Sequence, residues 1–489
     1  MNREWSQQQK AIFDQIAEGE SDRNVVITAR AGTGKTTTII EAGKYAPEEN
    51  ILYCAFNKRI EQELSTRLMD VPGAEAKTLH ALGFAAVRKF WTGVYIQKTN
   101  NARALDLTEQ VCGPTAPDPI KKMITTLHTK AREINPLATQ ASELIDLAYK
   151  FECVPDNGWT GTNWDLQFVT EKALQAMHLA ATIKPVKTGI DFADMIFLPV
   201  RNNWVMPTKD LVFVDEAQDM TVAQLAIAQG CCRGRLVIVG DDRQAIYDFR
   251  GADSNSLNRL KRELNAVELK LTITYRCAKS IVSLAQALVP DFEAGPHNPE
   301  GTVRSIYQDK LLGEVQGGDF VLSRLNAPLV SVAMSLLRNQ KRARIAGRDI
   351  GAGLKTILRN LKAYSIPEML TKLNAWEERM VIRMINAKRE NQVELIRDQA
   401  DTLRVLIEDA RGPQEVDARI DSLFTDDGLG QAGVITCSSV HRAKGLEANR
   451  VYILRDTLKE HNQEELNIQY VAITRAKNEL VWVNKGVVV

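Results

Sequence analysis

Short apolar runs recur along the chain at 51–56, 211–214, 236–239, 320–322, 451–454 and 480–483, and polar or glycine-containing segments follow them. Between many of these runs, apolar residues fall at helical spacing among charges. This alternation predicts parallel α/β sheets. Ligands of such sheets bind at the carboxyl ends of the strands, where the polar segments lie. Two stretches break the alternation. Residues 81–187 read as mostly helical, with a polar, tryptophan-containing loop at 154–164, and 354–424 reads as almost wholly helical. Within 376–410, Met380, Ile382, Met384, Ile385, Val393, Ile396, Leu403, Leu406 and Ile407 are spaced as in a helical hairpin or bundle.

No run of 18 or more apolar residues occurs, so no transmembrane helix and no membrane partner are expected. Met1-Asn2-Arg3-Glu4-Trp5 does not open a signal peptide, because no apolar segment follows. A cytoplasmic or otherwise intracellular protein is expected. At 489 residues the chain exceeds what one core supports, so several domains are expected. Its net charge of +1 gives no global positive field, and a nucleic-acid partner would need a local basic groove. The seven cysteines, Cys54, Cys112, Cys153, Cys231, Cys232, Cys277 and Cys437, include no C-x-x-C pair. The spacing argues against a disulfide framework, a zinc ribbon and an iron–sulfur cluster, and reduced thiols are expected.

The most specific chemistry lies in Val25-Val26-Ile27-Thr28-Ala29-Arg30-Ala31-Gly32-Thr33-Gly34-Lys35-Thr36. A strand runs into a glycine turn and a Lys-Thr pair, the form of a phosphate-binding loop. Its glycines let backbone N–H groups converge on phosphate oxygens, Lys35 reaches the β- and γ-phosphates, and the Thr36 hydroxyl ligates Mg²⁺. A helix starting there adds its positive dipole end. Farther on, the apolar run 211–214 ends in Asp215-Glu216-Ala217-Gln218-Asp219. Here Asp215 is placed to hold Mg²⁺ and Glu216 to orient and deprotonate water. The run 236–239 ends in Gly240-Asp241-Asp242-Arg243-Gln244, and Gln244 is a candidate γ-phosphate sensor. Tyr247, Phe249 and Arg250 follow, aromatics interleaved with an arginine, suited to stacking on single-stranded bases and pairing with phosphate.

In this order the motifs resemble the UvrD/Rep-like helicases of superfamily one, subgroup A. Ser6-Gln7-Gln8-Gln9 is similar to the Q motif, which makes Gln9 the expected adenine reader. Ala55-Phe56-Asn57-Lys58 and Thr78-Leu79-His80 resemble the motifs that follow the phosphate loop. Tyr275-Arg276 resembles motif IV, although Thr274 and Cys277 stand where Asn and Ser are common. Ser439-Val440-His441-Arg442-Ala443-Lys444-Gly445-Leu446-Glu447 resembles motif V, and Gln469 to Lys477 resembles motif VI. Asp191-Phe192-Ala193-Asp194 is similar to a block that precedes motif II.

The resemblance implies an α/β fold of two RecA-like P-loop motor lobes, each carrying a mainly helical insertion. The first lobe is expected at 1–80 and 188–270 around an insertion at 81–187. The second is expected at 271–353 and 425–489 around a short insertion at 354–424. No nuclease domain or tail is expected after motif VI, and the short insertion is expected to be replaceable by a linker without loss of hydrolysis. The implied nucleotide set is Gln9, Ala31, Gly32, Thr33, Gly34, Lys35, Thr36, Thr37, Tyr275 and Glu447, with Thr36 and Asp215 on Mg²⁺. Lys35, Glu216, Gln244, Arg276 and Arg475 are the implied catalytic set, the two arginines acting as fingers on the γ-phosphate. Phe56, Asn57, His80, Phe192, Tyr247, Phe249, Arg250 and His441 are the implied nucleic-acid contacts.

The H-x-A-K-G-L-E form of motif V is similar to that of the subgroup moving 3′ to 5′. The expected activity is therefore ATP-dependent 3′–5′ unwinding, on single-stranded DNA and single-strand/duplex junctions, by a monomer or weak oligomer. A second reading is an ATP-gated binding or remodelling subunit of a larger complex with little unwinding of its own. A third is an RNA-directed helicase.

Overall fold

The computed structural model describes residues 4–18, 23–97, 102–113, 115–155, 164–185, 189–246, 256–386, 390–426, 431 and 433–485. The chain divides into two compact units. The first comprises Met1–Ala29 and Gly34–Leu271, and the second comprises Arg30–Thr33 and Thr272–Val489.

The first unit is built on β1 (Val25–Ala29), β2 (Ile51–Ala55), β3 (Ala74–Thr78), β4 (Lys209–Val214), β5 (Cys232–Gly240) and β6 (Val267–Leu271). They form one sheet in the order β3-β2-β4-β5-β1-β6, parallel throughout. Both faces are covered, which is why the strands read as continuous apolar runs rather than alternating ones. Alternation survives in which core each residue enters. Val25, Ile27, Tyr53, Phe213, Val237 and Val239 pack on one side. Val26, Leu52, Cys54, Val212, Val214 and Ile238 pack on the other.

Between β3 and β4 the described residues are mainly helical, from Leu79–Phe90 to Phe192–Arg201. These helices enclose a core of their own around Ile124, Leu127, Val169, Met177, Phe197 and Leu198. Apolar residues at 120, 124, 127 and 131 place one face of Asp118–Ile134 inside it.

The second unit carries β7 (Ile273–Thr274) and β8 (Glu293–Ala294), which pair with each other. Its main sheet uses β9 (Thr302–Tyr307), β10 (Phe320–Ser323), β11 (Ala343–Ile345), β12 (Ile435–Ser439), β13 (Ala448–Leu454) and β14 (Ala476–Asn484). The order is β11-β12-β10-β13-β14-β9, again all parallel. The architecture is thus α/β, with two parallel sheets of the P-loop motor type, each interrupted by helices.

The helices between β11 and β12 do not stand apart from this sheet. Leu354, Leu361, Leu373, Leu403, Leu406, Ile420 and Phe424 share one apolar core with Val321, Leu329, Ile435, Cys437, Tyr452 and Val481. The Asp398 carboxylate of helix Glu390–Ile407 accepts from the Asn326 and Ala327 N–H groups at 2.9 and 3.0 Å. It therefore caps helix Asn326–Arg338, whose own N-cap, Leu325, has no acceptor side chain. Excision of 354–424 would open this shared core, which argues against the expectation that a linker could replace it. Met380, Met384, Val393 and Ile396 form a small separate cluster, and Ile382 and Ile385 are exposed. Among the described residues no helix is long and apolar enough to cross a membrane.

Candidate nucleotide and nucleic-acid sites

In the first unit, β1 ends at Ala29 and helix Lys35–Ala42 begins after Gly34. Gly34 adopts φ +80°, the left-handed conformation that only glycine enters freely. The turn aims the helix N-terminus at the carboxyl end of β1, beside β4 and β5. There the Lys35 ammonium lies 2.9 Å from a Glu216 carboxylate oxygen. The Thr36 hydroxyl donates to Asp215 Oδ2 at 2.5 Å.

Burial, and next the neighbouring Glu216 charge, push the Asp215 carboxyl up to about 6. Burial works against the Lys35 ammonium, but Glu216, Asp241 and Asp215 together hold its pKa above the ordinary lysine value. Glu216 has φ +53°, a left-handed conformation for a residue with a side chain, and such strain concentrates at functional sites.

Gln218 extends the constellation. Its amide Nε2 donates to Glu216 Oε2 at 2.7 Å and its Oε1 accepts from the Asp241 N–H at 3.1 Å. Asp241 in turn accepts from Gln244 Nε2 at 2.6 Å. A chain of hydrogen bonds thus runs from Lys35 to Gln244, through Glu216, Gln218 and Asp241. The motif by itself assigns Gln218 no role. Its place two residues after Glu216, on the same strand-end turn, was the available signal.

Gln9 lies 3% exposed, with its Oε1 accepting from the Ser6 N–H at 3.1 Å and its Nε2 donating to Thr38 Oγ1 at 2.9 Å. Both ends of its amide are engaged by the protein. Thr37 accepts from Arg67 at 2.7 Å, on the flank of the helix.

The hard oxygen donors Thr36 and Asp215 beside a phosphate loop suit Mg²⁺, which binds through one or two carboxylates and shares its sphere with phosphates and water. Among the described residues, no group of three or more His, Cys, Asp or Glu could hold a metal ion.

The second unit holds Arg30–Thr33, Tyr275, Arg276, Glu447 and Arg475. Arg30 forms a two-pronged ion pair with Asp291, both bonds 2.9 Å. The Ala31 N–H donates to the Tyr470 hydroxyl at 3.0 Å, and the Gly32 carbonyl accepts from the Tyr275 N–H. Thr33 donates to the Arg30 carbonyl at 2.9 Å. Gly32 has φ +69°, and a Cβ there would come within 2.5 Å of the Arg276 Cβ. Tyr275 is 48% exposed, so it is no core residue.

Glu447 lies between Arg276 Nε at 2.5 Å and Lys477 Nζ at 2.6 Å. The Arg276 contact is an ion pair without hydrogen-bond alignment. Burial opposes the Glu447 charge, but Lys477 and Arg276 hold the carboxyl below its ordinary value. Arg475 is 1% exposed and points inward, donating to the carbonyls of Val471 at 2.9 Å and Leu446 at 3.1 Å. Burial, and next the Arg276 charge, pull its guanidinium down to about 10.

Of the nucleic-acid candidates, Phe56 follows β2 and is exposed. Asn57 is the N-cap of helix Lys58–Arg67, accepting from the Ile60 N–H at 3.0 Å. His80 and Phe192 lie together, ring centroids 4.9 Å apart. His441 sits half-buried in the short helix Val440–Ala443 of the second unit. Tyr247, Phe249 and Arg250 lie outside the described residues.

Comparison with known proteins places the chain in a lineage. The UvrD/REP helicase N-terminal domain matches residues 6–265, and the UvrD-like helicase C-terminal domain matches residues 434–483. F-box DNA helicase protein 1 of Schizosaccharomyces pombe is 24% identical, over 97% of this chain and 57% of its own length. ATP-dependent DNA helicase Rep of Escherichia coli is 23% identical, over 60% of this chain and 43% of its own. The chain therefore spans about half the length of the curated relatives it matches. Among solved structures, the arterivirus nonstructural protein 10 helicase aligns over 97% of this chain and 61% of its own, at 11% identity and a TM-score of 0.35. The N-terminal family model alone covers more than half of the 489 residues and contains the Lys35, Asp215, Glu216 and Gln244 constellation, so the chain belongs to the UvrD/REP helicase family.

Proposed function

We propose that this protein is an ATP-dependent DNA helicase that moves 3′ to 5′ along single-stranded DNA and separates duplex strands ahead of it. The observation that carries this reading is the pairing of Lys35 with Glu216 and of Thr36 with Asp215 at the mouth of a phosphate loop. The two pairs are suited to exchange. Lys35 leaves Glu216 for the β- and γ-phosphates of ATP, which frees the Glu216 carboxylate to take a proton from the attacking water. Thr36 and Asp215 would hold Mg²⁺, which supplies charge neutralisation of the phosphates. In this reading Gln244, joined to Glu216 through Asp241 and Gln218, transmits the state of the γ-phosphate to the segment that follows it.

Gln9 reads the adenine edge in this proposal by exchanging its Thr38 bond for the base. Tyr275 stacks on the base, and Arg276 and Arg475 supply planar positive charge to the transferred phosphoryl group. Phe56, His80, Phe192 and His441 contact the strand. The relatives' names support DNA as substrate.

Strand displacement with purified protein on duplexes bearing only a 3′ tail or only a 5′ tail tests the reading. Unwinding of the 3′-tailed substrate alone is expected. Preference for the 5′ tail overturns the polarity. ATP turnover that no single strand stimulates overturns the helicase reading.

A further inference from the structure

Phe192 is 62% exposed, yet it is framed in sequence by two of the most buried carboxylates of the first unit, Asp191 and Asp194. Asp191 is the N-cap of helix Phe192–Arg201, its Oδ1 accepting from the Asp194 N–H at 2.9 Å. The guanidinium of Arg132, from helix Asp118–Ile134, grips Asp191 with two bonds of 3.0 and 2.7 Å. The same NH1 donates to Asp194 at 2.6 Å. The other oxygen of Asp194 accepts from Arg103 Nε of helix Ala102–Cys112 at 2.5 Å. Arg103 is anchored in turn on the carbonyls of Ala180 and Ile183, at 2.9 and 3.1 Å. Side chains of Arg132 and Asp194 are wholly buried, Arg103 is 1% exposed and Asp191 10%.

Two guanidinium groups and two carboxylates thus balance their charge away from water. Such a network is a costly way to gain stability alone, because well-packed apolar side chains of similar volume do as well or better. It does deliver geometry. Planar forks meeting carboxylates from several elements leave little freedom at the helix N-terminus. What that N-terminus carries is the Phe192 ring, 4.9 Å from the His80 ring at an interplanar angle of 45°. His80 is placed by an independent cap, the Thr78 hydroxyl accepting from the Ala81 N–H at the start of helix Leu79–Phe90.

We infer that Arg132 and Arg103 are positioning residues for nucleic-acid binding, holding Asp191 and Asp194 so that Phe192 and His80 form a fixed aromatic shelf for a base of the single strand. This rests on the strand-binding role proposed for Phe192. The helical insertion, through its arginines, then sets how well the shelf fits a base without touching the strand there.

The test is a double-mutant cycle on the full chain. Affinity for a thymidine oligonucleotide is read by anisotropy, and stacking by the fluorescence of a 2-aminopurine oligonucleotide. A lost base–aromatic stack is worth ~1–3 kcal/mol, so F192A is expected to weaken binding roughly 5- to 150-fold. R132K keeps the charge but loses the fork. It is expected to weaken binding several-fold and reduce 2-aminopurine quenching while thermal unfolding stays near that of the parent. In the F192A background, R132K should have almost no further effect. Should R132K fail to fold, D191N, which keeps the capping oxygen, goes through the same cycle.

Equal losses from the arginine or aspartate variant in both backgrounds, or a lowered unfolding temperature with unchanged binding, overturn the inference and leave the network as a structural staple. Parent protein that binds no single strand, or F192A that binds as well as the parent, overturns the strand-binding reading itself.

Discussion

At the scale of the residue, Lys35 and Glu216 neutralise each other across 2.9 Å, and they should fail differently. Lys35→Ala removes the counter-charge for phosphate, so nucleotide binding and turnover should both fall. Glu216→Gln keeps size and hydrogen bonding but removes the base. Filter or fluorescence binding of ATP should persist while turnover collapses by about 10²–10⁴. Near-normal turnover of Glu216→Gln would take away its role as base.

His128 carries a prediction of another kind. It is wholly buried, with Nε2 near the Ala104 carbonyl at 3.1 Å. Burial, and next the Arg132 charge, lower its pKa to about 3 from the usual 6.5. Between those values the unfolded chain binds a proton that the folded chain refuses. Stability from the neutral ring is therefore complete above pH 6.5 and is lost as the pH falls below it. One such group costs roughly 2 kcal/mol between pH 6.5 and 5. His128→Gln, which keeps a donor toward Ala104, should flatten the thermal stability of the protein over that range. An unchanged slope would show that other groups govern its acid lability.

The elements differ in how separable they are. Helices between β3 and β4 have their own core, whereas those between β11 and β12 complete the core of the second sheet. Leu403 and Leu406 are fully buried against that sheet's apolar face. Leu403→Ala should cost ~2–5 kcal/mol of stability, read as a fall in the denaturant midpoint. Ile382→Ala, on the exposed face of helix Ile366–Asn386, should change it by less than about 0.5 kcal/mol. Replacing residues 354–424 by a flexible linker should leave the second unit unfolded in proteolysis. A resistant, folded product would show that the sheet closes its core without them.

For the molecule as a whole, the proposed chemistry draws on both units: Lys35, Asp215 and Glu216 from the first, Arg276 and Arg475 from the second. Arg475→Lys keeps charge and loses the planar fork. Single-strand affinity should stay near that of the parent, while turnover falls by about 10³ or more, the usual scale for such groups. The inward bonds of Arg475 to Val471 and Leu446 call for a parallel unfolding measurement. Equal losses of stability and turnover would assign Arg475 a packing role. Normal turnover with normal folding would remove it from the catalytic set.

The sequence alone determined the parallel α/β class and which polar residues gather where strands end, because both follow from spacing over a few residues. The apolar runs that lead into the Gly34-Lys35-Thr36 turn and into Asp215-Glu216 form parallel strands, whose polar tails lie together at the carboxyl end of the sheet. The tertiary structure decided what depends on partners far along the chain. Arg132 reads as an ordinary charge in an amphipathic helix, and only the return of the chain 59 residues later brings Asp191 onto it. Gln218 shows its bridging role only when β5 lays Asp241 beside it. Helical spacing marked Ile382, Ile385, Leu403 and Leu406 alike. Two face outward and two are core, because periodicity defines a face and packing alone decides which length of it meets another element.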